Sequence, residues 1–363
     1  MNAIIKWPGG KSREIEKIHD LIPEKFDRYV EPFFGGGALY FHLMPKASMI
    51  NDISEGLMDF YRLLKERDPE LREFLYGYDD SFRHLLSVCD EHAPQLLEVF
   101  AQRSPDGVTA VLEEMLPEIQ SGMTAGLIMN QEQFVEQMSR MVRDKYERTV
   151  VNHHKKPFSQ EDLAENLITG FTSGFYMYFR KVYNDLELGL AQASRGYRAA
   201  NFYFIREYCY GSMFRYNSKG EFNIPYGGMS YNRKDMRGKL DRIYDDRVLD
   251  LLSGTEIASR DFEAFIEDAQ LTENDFMFLD PPYDTEFSDY EGKAFTKLDQ
   301  ARLAVLLKKT KAKFILIIKN TEFIHSLYEQ DFTLLSFDKQ YTYNVRSRND
   351  RGAEHLIITN LPV

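Results

Sequence analysis

The sequence predicts a doubly wound α/β domain interrupted by a mostly helical inserted lobe. Three observations predict it. The first 66 residues alternate strand-like and helix-like runs around a glycine cluster. The same rhythm returns from about Thr255, and between about Ser81 and Ser194 the pattern is amphipathic helix with no clear strand. At 363 residues the chain is long enough for roughly two domains, each able to bury a core.

The elements follow in order. RYVEPF (Arg28 to Phe33) is a short strand running into glycines, and ALYFHLM behind it has helical character. ASMIND (Ala47 to Asp52) is a second strand that ends in an acid, and Leu57, Phe60, Tyr61 and Leu64, spaced by three and four, mark the next helix. QLLEVFAQ, AVLEEMLPEI and EQFVEQMSRMVRDKY carry the helical periodicity of the lobe, and the aromatic run from Phe171 to Tyr183 sits at helical spacing as core. Beyond Thr255 come the strand of TEIASRDF, the apolar strand FMFL, a helix from Asp299 to Lys308 and the strand KFILIIKN. A helix after Thr321 and a closing pair of strands near Phe332 to Phe337 and His355 to Thr359 complete the order. This assigns 1–80 and 250–363 to the sheet domain and 81–249 to the insertion.

Charge is distributed unevenly along the chain. The whole carries 45 Lys+Arg against 57 Asp+Glu, a net charge of -12, which as an average argues against a nucleic-acid binder. From Asp80 to Glu165 there are fifteen acids and eight bases, so that block alone is near -7. From Arg195 to Arg242 there are ten bases and four acids, a net of +6, interleaved with aromatic residues. The acidic block is therefore expected to face away from a polyanion and the basic segment to meet it. Cys89 and Cys209 form no CxxC pair and are too few for a disulfide framework or a four-ligand zinc site, and His153-His154 reads as a solvated pair, so no metal is expected. MNAIIKWPGGK has no apolar signal core, and the most apolar run, Phe314 to Ile318, falls far short of the roughly 20 residues of a membrane span. The expectation is a cytoplasmic chain.

Three motifs carry chemistry. EPFFGGG (Glu31 to Gly37) follows a strand and precedes a helix, where glycines permit a tight turn and close approach of a ligand to the backbone. It is not the dinucleotide fingerprint, because position 40 is Tyr. Asp52, at the end of the next strand, is placed to accept the two hydroxyls of a ribose. WPGGKS (Trp7 to Ser12) is not a phosphate loop, since Ile5 stands where that loop needs glycine; it remains a glycine-rich loop carrying a cation, Lys11. The sharpest motif is DPPY (Asp280 to Tyr283), at the carboxyl end of an apolar strand. Its prolines fix the backbone, so the Asp280 carboxylate and the Pro281 carbonyl can accept both hydrogens of an exocyclic amine while Tyr283 stacks on a flat ring.

With these residues in view, the sequence resembles the Dam-like DNA adenine-N6 methyltransferases, an alpha-group family of amino-methyltransferases with a DPPY motif. The resemblance runs through IKWPGGK, VEPFFGGGALYF, the acid of INDIS, FRYNSKGEFNIPYG (Phe214 to Gly227), LDPPYD and FILIIKN, within residues 4–80 and 200–363. It implies a Rossmann-like methyltransferase sheet with an inserted target-recognition lobe, and S-adenosyl-L-methionine as cofactor. Cofactor contacts are implied for Trp7, Gly10, Lys11, Glu31, Phe33, Gly35, Gly37, Asp52, Asp261, Phe262 and Asp280. The catalytic group implied is Asp280, Pro281, Pro282 and Tyr283, acting on an adenine that has left the duplex, by direct in-line transfer with no covalent intermediate.

The resemblance also gives the basic segment a role on double-stranded DNA. Arg215 is matched to a guanine, and Tyr210 or Met213 to the gap left by the flipped base. Arg206, Lys219, Arg233, Lys234 and Arg237 are matched to phosphates. A monomer is expected, with a dimer left open, and a cognate restriction endonuclease is the partner if the chain serves a restriction system. The rival chemistries are amino methylation of cytosine N4, RNA or a protein amide. The rival class is a non-catalytic DNA-binding regulator, which an intact DPPY and glycine loop disfavour.

Overall fold

The computed structural model describes residues 1–8, 14–282, 289–290, 293–340 and 352–362. Gly10, Lys11 and Tyr283, named above for the cofactor and the target base, lie outside the described residues. The chain forms two compact units, Met1–Lys65 with Asp246–Val363, and Glu66–Asp245.

The first unit opens with α1 (Ile15–Ile18), β1 (Arg28–Glu31), α2 (Ala38–Leu43), β2 (Ser48–Asn51) and α3 (Glu55–Lys65). The second contains α4 (Pro69–Glu91), α5 (Ala93–Ala101), α6 (Pro105–Ser121), α7 (Gln131–Lys155), α8 (Gln160–Glu187), α9 (Arg195–Tyr208) and α10 (Arg237–Ile243). The boundary drawn from composition at residue 80 thus falls inside α4. Its core is aromatic: Phe171, Phe175, Tyr176, Tyr178, Phe179 and Tyr183 of α8 are all buried, with Phe204 and Tyr78 stacked at 4.7 Å.

The chain then re-enters the first unit through α11 (Asp246–Ser253), β3 (Thr255–Ala258), α12 (Phe262–Asp268) and β4 (Asp275–Leu279). A short antiparallel pair, β5 (Asp289–Tyr290) and β6 (Lys293–Ala294), precedes α13 (Lys297–Lys309), β7 (Lys313–Lys319), α14 (Glu322–Tyr328), β8 (Thr333–Gln340) and β9 (Gly352–Thr359). The helix expected from Asp299 starts two residues earlier because Thr296 and Asp299 form a reciprocal capping box.

Seven strands form one sheet in the order β3-β2-β1-β4-β7-β9-β8. The first five run parallel, while β9 is antiparallel to both β7 and β8. β2 and β4 are buried along their whole length, with apolar residues at Met49, Ile50 and Phe276 to Leu279 and buried polar residues at their ends. Chain order reverses between β1 and β4, the switch point at which open α/β sheets hold their ligands.

Two polar devices hold the strand ends in place. At the start of β1, Arg28 faces Asp275 in register and donates from Nε and Nη2 to the two carboxylate oxygens at 3.1 and 2.9 Å. Burial alone would raise the Asp275 carboxyl, but hydrogen bonds from Arg28 and the Thr272 backbone hold it below the usual carboxylate range. At the other end, the buried Asn51 donates to the carbonyls of Pro32 and Arg260 and accepts from the Arg260 amide, each at 3.0 Å. One side chain thereby ties the loops after β1 and β3 to the end of β2. Removing it leaves these backbone groups without Asn51, so Asn51→Ala is expected to lower unfolding stability by about 3 kcal/mol, read as a shifted urea midpoint with an unchanged slope.

Candidate active site

The carboxyl ends of β2, β1 and β4, three neighbouring parallel strands, each deliver an acid: Asp52, Glu31 and Asp280. Glu31 is only 2 % exposed. Tyr29, two residues back and so on the same face of the strand, donates its hydroxyl to Glu31 Oε2 at 2.7 Å. Burial pushes the Glu31 carboxyl well above the ordinary range; the Tyr29 hydrogen bond opposes that, and the charges of Asp280 and Asp52 add to it. Three acids gathered at one sheet edge favour a ligand that carries positive charge.

The glycine loop wraps this edge. Gly35 donates its amide to Asp52 Oδ2 at 2.8 Å, and the Ser54 amide reaches Oδ1 at 3.0 Å, so Asp52 is fixed by backbone on both oxygens. Gly35 has φ +51°, and a Cβ there would stand 2.6 Å from the Trp7 ring. Gly37 has φ +64°, and a Cβ there would strike the Phe34 ring. Trp7 therefore lies flush on a glycine surface that any larger residue would lift away. Phe33 stacks obliquely on Phe262 at 5.4 Å and meets Phe295 edge-on at 5.6 Å, giving an aromatic wall between the glycine loop and the start of α12. Asp261 caps α12 through the Glu263 amide, and its carboxylate is bound by Arg302 at 2.6 Å.

Asp280 is half-buried and Pro281 buried directly after β4. The turn is held from α13, where the fully buried Gln300 donates to the Pro282 carbonyl at 3.1 Å.

In the second unit, α9 leads into a hairpin. Cys209 pairs with Tyr226 and Tyr216 with Phe222 in antiparallel bridges. The turn closes on Asn217, whose Oδ1 accepts from the amides of Lys219 and Glu221 at 2.9 and 3.0 Å. Arg215 and Lys219 are exposed, Tyr210 is 51% exposed and Met213 is half-buried. Arg215 Nε donates to Asn223 Oδ1 at 3.0 Å across the hairpin.

Four of the five bases matched to phosphates are otherwise engaged. Arg206 is fully buried, its guanidinium 3.5 Å above the Phe214 ring, and it presents no cation to a phosphate. Arg233 binds Asp90 and Glu165, each at 2.6 Å; Lys234 and Lys239 converge on the buried Glu207; and Arg237 binds Asp79 at 2.7 Å and also Asp80. The acidic block thus does not simply turn away from the basic segment, since Asp80, Asp90 and Glu165 are its ion-pair partners. The remaining phosphate candidate, Lys219, is exposed at the hairpin turn.

Comparison with known proteins decides what this arrangement belongs to. The D12 class N6 adenine-specific DNA methyltransferase family matches residues 7–91 and 129–343. The chain belongs to this family. It is similar to a Type II methyltransferase of Paramecium bursaria Chlorella virus NC1A, 24% identical over 366 residues, covering 99% of this chain and 100% of the other. A Type II methyltransferase of Lactococcus lactis subsp. cremoris is 23% identical over 373 residues, with coverage of 99% and 95%. A DNA adenine methylase of Vibrio cholerae is 21% identical over 313 residues, with coverage of 85% and 76%.

As a D12-class enzyme, the chain is an adenine-specific DNA methyltransferase. The family match skips 92–128, which holds α5 and α6, so those helices of the acidic block lie outside the shared pattern. Asn51, Phe295 and Gln300 were not legible as site residues of this methyltransferase. Asn51 stood in plain view beside Asp52, whereas nothing in the sequence sets Phe295 or Gln300 apart.

Two outcomes follow from these contacts. The folded-state pKa of Glu31 is raised, so its contribution to stability is full below the ordinary Glu range and is lost as pH rises through the higher folded value. Glu31→Gln is therefore expected to melt higher than the parent protein at pH 8, with the gap closing towards pH 4, in thermal denaturation series without ligand. Arg237→Glu places like charges beside Asp79 and Asp80 and is expected to cost about 3 kcal/mol or more of unfolding stability, whereas Arg215→Ala leaves the urea midpoint in place.

Proposed function

We propose that this DNA adenine methyltransferase uses S-adenosyl-L-methionine to methylate adenine N6 in double-stranded DNA, on a base turned out of the helix, by direct transfer. The observation that carries the proposal is the convergence of Glu31, Asp52 and Asp280 beside the glycine loop at the switch point. S-adenosyl-L-methionine carries a sulfonium methyl and an ammonium group, and the donor set fits both. Glu31 would face the cationic part, Asp52 would accept from the ribose hydroxyls, and Phe33 with Phe262 would offer a flat wall to the cofactor's adenine. Trp7, against Gly35, closes the side of the cradle; Gly10 and Lys11 are further proposed cofactor contacts.

The target amine is a weak nucleophile because its lone pair is conjugated into the ring. Asp280 and the Pro281 carbonyl would each accept one of its hydrogens, favouring the pyramidal nitrogen, so that its pair bonds the methyl carbon as the carbon–sulfur bond of the sulfonium breaks, the thioether leaves and the surplus N6 proton passes by way of Asp280 to water. Tyr283 stacks on the base, and the stiff Pro281-Pro282 turn, pinned by Gln300, keeps the acceptors from retreating. A base must leave the stack to reach a pocket of this kind. Arg215, Tyr210, Met213 and Lys219 are the hairpin residues proposed to meet DNA, with Arg215 on a guanine.

The Type II names among the relatives support a restriction setting with a cognate endonuclease as functional partner. The proposed acting form is a cytoplasmic monomer; among the described residues no helix is long and apolar enough to cross a membrane. The test is transfer of a tritiated methyl group to DNA followed by nucleoside analysis. Label is expected in N6-methyladenine, and label in N4-methylcytosine, RNA or protein overturns the assignment. Asp280→Ala is expected to abolish transfer while DNA retention on a filter stays near the parent level; surviving transfer removes Asp280 from catalysis.

A further inference from the structure

We infer that Arg206 is a positioning residue for target recognition, a buried cation beneath the hairpin that fixes where Arg215 points. This rests on the proposed DNA-facing role of the hairpin. The Arg206 guanidinium lies 3.5 Å from the centroid of the Phe214 ring, and Phe214 immediately precedes Arg215. Phe214 is held on its other sides by Phe222 at 4.7 Å and Phe202 at 5.9 Å. Side chains alternate along an extended strand, so seating Phe214 inward sends Arg215 outward. There Arg215 is exposed and steadied by Asn223 through both its side chain and its carbonyl.

The opposite arm rests on a second guanidinium. The Ile224 carbonyl accepts from Arg180 Nη1 at 3.2 Å and from the Tyr176 hydroxyl at 3.0 Å. The Arg206 carbonyl accepts from Cys209 Sγ at 3.5 Å, at the residue that pairs with Tyr226 to close the hairpin base. Arg206 is therefore joined to the first arm at its start and under its reader.

A guanidinium with no solvent exposure is costly to desolvate. What the planar cation adds is a defined stacking geometry that a flexible apolar chain does not impose. Loosening Phe214 would leave Arg215 attached but misaimed, and bidentate contact with a base edge is the interaction most sensitive to aim.

The experiment begins by mapping methylated adenines in host DNA after expression, which defines the cognate sequence. Selectivity is then the ratio of kcat/KM on the cognate duplex to kcat/KM on duplexes changed at one base pair. Arg206→Met and Phe214→Leu are each expected to lower this ratio about tenfold at the position read by Arg215. The loss is expected in KM, with kcat on saturating cognate DNA within a few-fold, and Arg206→Lys restores part of it. Arg215→Ala is the control for the underlying reading. If it lowers selectivity and the folded Arg206→Met does not, the role of Arg206 is overturned. If Arg215→Ala leaves selectivity intact, the DNA-facing reading of the hairpin fails and takes this inference with it. Should Arg206→Met fail to fold, Phe214→Leu decides, and parent-like selectivity in that variant overturns the proposal.

Discussion

Arg28 and Asp275 stand opposite one another at the first residues of β1 and β4, and their two-pronged ion pair sets how those strands slide past each other. A slip of one residue would send Tyr29 and Glu31 together to the opposite face of the sheet and carry the Glu31 carboxylate away from Asp52 and Asp280. With the register held, Glu31 closes β1 and Asp280 follows β4 on either side of the point where the sheet reverses its order. Asn51 then anchors the loops at that same end. The fold thus fixes its strands with polar groups at both ends, while the apolar run between them supplies burial without specifying alignment.

That alignment gathers negative charge in a place with little water. The acids would relax if they were spread apart, and the sheet does not let them. Glu31 bears most of the consequence, since it is the one fully enclosed. A ligand with positive charge relieves the repulsion, so part of its affinity is already built into the electrostatics of the site. The glycine loop contributes differently: Gly35 and Gly37 take left-handed conformations that bring backbone and the Trp7 ring to the same edge.

Much of the catalytic unit was legible because its signals are local. A strand that ends in glycines, a strand that ends in an acid and an apolar strand that ends in DPPY each announce themselves within ten residues. The second unit was legible only in outline. Its helices follow from periodicity, but a count of charges along the chain says nothing of where each charge is neutralised. Arg233 meets Asp90 across 143 residues and Arg237 meets Asp79 across 158. Arg206 read like the exposed bases Arg215 and Lys219, yet it sits on a helix that is buried on nearly every side, and aromatic neighbours at Phe202, Tyr203 and Phe204 signal core for the helix without singling out the arginine.

Arg233, Lys234, Arg237 and Lys239 are tied to α4, α8 and α9 by ion pairs, and Arg233 and Asp90 are both about half exposed, at 47% and 48%. Dissolved ions screen such pairs at the same concentrations at which they compete for nucleic-acid phosphates. Raising ionic strength would therefore loosen the lobe from within while it weakens contact from without. A plot of log affinity against log salt then contains an internal conformational slope added to counterion release, and the number of phosphates deduced from its steepness exceeds the number touched.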